Sequence, residues 1–133
     1  MTGFQQNEDN YGELRLPWNE ETYAALRRGD NKAFKNLLSS LGMVDFSCCN
    51  LRGVDLRGVN IKKVVLRGAY LKGADLRGLN LSRHDLEGAS LHGARISGVF
   101  FPSNLSPDEI MMSVQTGTRL RVSPIAAAGP EAG

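Results

Sequence analysis

From Phe46 to Phe101 a large apolar residue stands at every fifth position: Phe46, Leu51, Leu56, Ile61, Leu66, Leu71, Leu76, Leu81, Leu86, Leu91, Ile96 and Phe101. A helix repeats its apolar positions every three to four residues and a strand every two, so a period of five fits neither. With 41% of the chain hydrophobic, twelve in succession in any of five registers has odds on the order of one in 10,000. Two residues before each of these centres runs a second series that is apolar and mostly small, with His84 its one exception. Two residues after each centre, Gly fills eight of the twelve places. A repeat this regular sets the architecture before any single element is assigned.

The flanks follow different rules. Asn19 before Glu20 and Glu21 predicts a helix through about Arg28, ended by Gly29. Asp30 caps a second predicted helix through about Leu41, stopped by Gly42, with Phe34, Leu37, Leu38 and Leu41 on one face. After the repeat, Ser106-Pro107-Asp108-Glu109 reads as a capping box with proline at the first helical position. Ile110, Met111 and Val114 supply that helix's apolar face, Gly117 ends it, and Thr118 to Val122 return as an edge strand.

Three units show the repeat most cleanly: Val54-Asp55-Leu56-Arg57-Gly58, Ala74-Asp75-Leu76-Arg77-Gly78 and Ala89-Ser90-Leu91-His92-Gly93. They resemble the A(D/N)LxG units of pentapeptide-repeat proteins, and the resemblance runs from Val44 to Ser103. It implies a mainly β fold, a right-handed four-sided β-helix with one repeat per side, twenty residues per coil and about three coils. Residues twenty apart then stack, giving inner ladders such as Leu51–Leu71–Leu91. The outer coils of such a stack expose apolar layers and strand edges, which repeat proteins cover with caps; the flanking helices are the expected caps. The organisation expected is a flexible tail at 1–18, a helical cap at 19–43, the repeat at 44–103, a capping helix and edge segment at 104–122, and a disordered tail at 123–133. One corner, Lys63–Arg83–Ser103, lacks glycine in every coil and needs a turn without positive φ. Some relatives are long acidic dimers that mimic DNA and protect topoisomerases; this chain is short and its repeat is basic, so that role is not expected.

Charge adds a pattern. The residue after the centre is basic six times running, Arg52, Arg57, Lys62, Arg67, Lys72 and Arg77, and nine Lys and Arg against five Asp and Glu give the repeat a net +4. The whole chain carries only +2. The belt of Arg52, Arg57, Arg67, Lys72 and Arg77 is therefore a candidate for an acidic partner, with nucleic acid a weaker expectation because few aromatics interleave with it. No leader-like opening and no long apolar run is found, so no membrane partner is expected and a bacterial, cytoplasmic protein is the simplest account. Cys48 and Cys49 are adjacent, one expected outward and one inward, which argues against a shared disulfide or a metal site.

Catalytic chemistry finds no constellation. His84 and His92 fall on different sides of the predicted helix, and the serines lack a base–acid pair. Asp55 and Asp75 are expected to stack, but beside Arg57 and Arg77 they read as a salt-bridged ladder. No catalytic residue, cofactor or metal is expected. His84 is a candidate pH-sensitive residue on the inward side. Lys62, Lys63, Val65, Tyr70 and Arg83 break the repeat pattern around one corner and form the candidate protein-binding patch, with Val65 and Tyr70 expected to be exposed. The function expected is a non-enzymatic, monomeric binding or scaffolding module for another protein.

Overall fold

A computed structural model describes residues 19–123; the tails expected at 1–18 and 123–133 lie outside them, except Ser123, whose N–H donates to the Asn104 carbonyl at 2.8 Å. Helices α1 (Glu20–Arg27) and α2 (Asn31–Ser39) come first. Two short strands, β1 (Val44–Asp45) and β2 (Val64–Val65), pair in parallel twenty residues apart, and α3 (Pro107–Thr116) follows the repeat.

Within the repeat a single turn recurs. The N–H three residues after a centre donates to that centre's carbonyl, as Val54 to Leu51 (3.3 Å), Ala74 to Leu71 (3.0 Å) and Ala94 to Leu91 (2.8 Å). The glycine of each such turn has φ between 68° and 79°, the positive value that the third residue of a type II turn requires. Ahead of the centre, an Asp or Asn side chain braces the turn. Asn50 Oδ1 accepts from the Arg52 N–H at 3.1 Å, and Asp55, Asp75, Asn80 and Asp85 do the same for residues 57, 77, 82 and 87. The unit A(D/N)LxG thus spells out an inward filler, a turn brace, an inward anchor, a free position and a left-handed corner.

Units stack by backbone pairing at a separation of twenty. Asn50 pairs with Tyr70, Tyr70 with Ser90, Asp55 with Asp75, Asp75 with Arg95, and Asn80 with Phe100, all in parallel. Five-residue units pairing at twenty make four sides. The anchors from Phe46 to Leu91 are all buried, most of them completely, whereas Ile96 and Phe101 are only half-buried. Cys48 occupies a corner otherwise held by glycine and adopts φ +58°, while Cys49 is buried inside.

Each end meets the flanks through specific bonds. Tyr23 Oη donates to the Asn50 carbonyl at 2.7 Å, Arg27 Nη1 to that of Arg52, and Asn31 Nδ2 to that of Asp55 at 3.3 Å. Phe46 lies between the Tyr23 and Phe34 rings, at centroid distances of 5.9 and 6.3 Å. Asn19 and Asp30 cap α1 and α2 through their side chains, at 3.0 Å each. α2 stops at Ser39, short of the expected Leu41. At the far end Leu91 N–H donates to Ser113 Oγ, Gly93 N–H to the Val114 carbonyl and Gly88 N–H to that of Leu120. Ser90 and Arg119 form an antiparallel bridge. Two details of α3 correct the sequence reading. Met111 is exposed and Ser113 is the buried residue beside Ile110. Glu109 bonds Arg121 rather than reaching back to Ser106, so only half of the capping box forms.

Candidate functional site

The corner without glycine departs most from the regular turn. Residues Ile61–Lys63 form a 3-10 turn in which the Lys63 N–H donates to the Asn60 carbonyl. Lys63 and Arg83 are not among the residues with positive φ, as a corner built without glycine requires. Instead of backbone pairing, a side chain bridges the stack here. His84 Nε2 lies 3.0 Å from the Ile61 carbonyl and 3.1 Å from that of Val64, so it donates to both. Its Nδ1 is buried without a hydrogen-bond partner among the described residues. His84 therefore holds two turns together through the Ile61 carbonyl, which also accepts from the Val64 N–H, and the Val64 carbonyl.

Beside it lies an open concavity of about 750 Å³ lined by Met43, Lys62, Val65, Asn80, Arg83 and His84, among others. Lys62 and Arg83 point no charge at a carboxylate among the described residues, and Met43 is 63% exposed. Val65 is half-buried rather than exposed.

Two of the five patch residues are taken up by the fold. Tyr70 is 1% exposed. Its register partners Asn50 and Ser90 are covered too, one by Tyr23 Oη on its carbonyl and the other through its Oγ bonded to the Gly117 carbonyl at 3.0 Å. Lys63 is half-buried, with Nζ 3.0 Å from the Leu38 carbonyl and 2.9 Å from that of Leu41. It satisfies carbonyls at the end of α2, where a cation also suits the helix dipole. Of the five, Lys62, Val65 and Arg83 line the concavity, together with Met43, which lies before the first anchor.

Much of the basic belt is matched by acid. Arg57 binds Asp55 (Nη2–Oδ2 3.0 Å) and reaches Asp75 (Nε–Oδ2 3.3 Å), Arg77 binds Asp75 at 2.7 Å, and Arg67 binds Asp85 at 2.9 Å. The hydrogen-bonded Arg77 guanidinium, aided by Arg57, holds Asp75 down from 3.8 to about 2. The bond from Arg57 lowers Asp55 as well. These carboxylates stay ionised, which suits an ion-pair ladder and not a general acid. At the other end of the repeat, burial raises the Tyr23 phenol, which keeps its proton for the Asn50 carbonyl. Among the described residues no group of three or more His, Cys, Asp or Glu is placed to hold a metal ion, and no helix is long and apolar enough to cross a membrane.

With this geometry in place, comparison with known families is specific. Residues 41–73 and 65–101 match the family of pentapeptide repeats, in eight copies. The chain is a pentapeptide-repeat protein. No curated protein and no solved structure matches it.

Proposed function

We propose that residues 44–103 form three coils of a right-handed four-sided β-helix, capped by α1 and α2 at one end and by α3 at the other. We further propose that this rigid body is a non-enzymatic binding or scaffolding module for another protein. The observation that carries the reading is the concavity at the glycine-free corner, where Lys62 and Arg83 stand without carboxylate partners beside Met43 and Val65. Two unpaired cations around apolar side chains match the make-up of an interface with a polar rim. Polyanion binding has less support, since Arg57, Arg67 and Arg77 already face carboxylates.

The test is affinity capture at low and moderate salt with wild type and with Lys62→Ser, Arg83→Ser. Lys63 and Tyr70 stay untouched, because altering them would confuse folding with binding. The double variant should melt like wild type and lose a subset of captured proteins. If it recovers every one of them, the concavity is not the binding site.

A further inference from the structure

On the two sides spanning residues 74–81 the groups that reach toward the next turn are used. Leu76 and Gly78 N–H donate to the carbonyls of Arg95 (3.0 Å) and Ser97 (2.9 Å), and the Ala74 carbonyl accepts from Arg95 at 2.9 Å. On the following side Leu81 N–H donates to Phe100 (2.8 Å), and the Leu79 carbonyl accepts from Phe100 at 3.0 Å. Twenty residues further on, the same five groups are the N–H of Ile96, Gly98 and Phe101 and the carbonyls of Ala94 and Val99. Among the described residues none of the five has a partner. The C-terminal segment covers only the two preceding sides, through Ser113, Val114 and Leu120. Two sides of the last turn are an open strand edge.

Apolar side chains line this edge. Ile96, Val99 and Phe101 are half-exposed, although their counterparts Leu76, Leu79 and Leu81 are buried, and Phe100 is 65% exposed. Its charge has one sign. Arg95 is exposed without a carboxylate partner, and no Asp or Glu occurs between Gly88 and Pro107. In the ladder Asp55–Asp75–Arg95 the two acids are matched by Arg57 and Arg77, whereas Arg95 has no acid facing it among the described residues; a carboxylate at the next place would supply one. An unpaired edge of this kind templates the addition of another strand.

We infer that the edge at 94–101 binds an extended acidic segment of another protein, added as a parallel strand with a carboxylate against Arg95 and a bulky apolar side chain against Phe100. A glycine three residues after the acid lets the added strand turn the corner above Gly98 with the positive φ that Gly98 itself has, +72°. A second copy of this chain fits less well, because it brings another Arg95 and no carboxylate.

The probe is an acetylated, amidated eight-residue peptide with aspartate, leucine, glycine and phenylalanine at its second, third, fifth and seventh places. Titrated into the full chain, it should shift the amide resonances of Ile96, Gly98 and Phe101 and slow their hydrogen exchange. Arg95→Glu should weaken binding by about tenfold or more, and a lysine in place of the peptide's aspartate should restore it. Lys62→Ser, Arg83→Ser should leave this binding unchanged, which separates it from the concavity. Four results would overturn the inference: no shift at millimolar peptide, equal binding by Arg95→Glu, amides already protected in the dilute free chain, or protection that depends on protein concentration alone. The last would assign the edge to a second copy.

Discussion

Gly68→Ala tests whether residues 48 and 68 are stacked. A methyl group at Gly68 would lie 2.7 Å from Cys48 Sγ, and Gly68 has φ +72°. Gly73 has nearly the same φ, +69°, with nothing within 4 Å of the added methyl. Holding alanine in the left-handed region costs about 1–2 kcal/mol, which should be the whole effect of Gly73→Ala. At Gly68 the overlap adds about 1–3 kcal/mol, because a cysteine can move its sulfur only by turning one bond in a packed corner. Cys48→Gly removes the sulfur and relieves a residue held at φ +58°; alone it should change stability by no more than about 1 kcal/mol, as relieved strain offsets added chain entropy. Combined with Gly68→Ala it should return the cost to that of Gly73→Ala, a coupling of about 1–3 kcal/mol. Urea unfolding under reducing conditions, with an unchanged m-value, measures all four proteins. A Gly68→Ala variant no less stable than Gly73→Ala, or a coupling below about 0.5 kcal/mol, would refute the stacking of these two corners.

Two further outcomes follow from the interior and the ion-pair ladder. Leu71→Ala, completely buried between Leu51 and Leu91, should cost about 2–5 kcal/mol by urea unfolding, whereas Met112→Ala on exposed α3 should cost well under 1 kcal/mol. Asp75 titrates lower in the folded chain than in the unfolded one, so its stabilisation is complete above the ordinary aspartate value and is lost as pH falls from about 4 toward 2. Asp75→Asn should flatten the loss of stability across that window; an unchanged slope would mean that Asp75 is not the group responsible.

The five-residue period made the inward anchors and the positive-φ glycines readable in advance, because each unit closes its own turn with its own residues. Helix caps at Asn19, Asp30 and Ser106 were legible for the same local reason. Longer-range roles were not. Lys63 looked like a free cation because its partners, the Leu38 and Leu41 carbonyls, depend on where α2 comes to rest. Tyr70, expected exposed as a residue that breaks the repeat pattern, is buried, and the flanks reach its stacking neighbours Asn50 and Ser90, which no five-residue pattern encodes. His84 was visible as an anomaly in the small inward series. The twenty-residue stacking itself sets His84 on Val64, whose carbonyl it bonds; that the ring also reaches the Ile61 carbonyl is not given by the repeat.

The pairing of five-residue turns at a separation of twenty has a consequence for how such a chain can change length. Inserting one unit leaves every turn intact, yet it rotates everything downstream by one side. A unit inserted between residues 64 and 84 would carry His84 off Ile61 and Val64, and one inserted between residues 93 and 107 would carry α3 off residues 88–93. Only a twenty-residue insertion returns each side chain to its own ladder. Growth by duplication is thus quantised: the turn tolerates steps of one unit, but the specialised corner and the terminal helix tolerate steps of four.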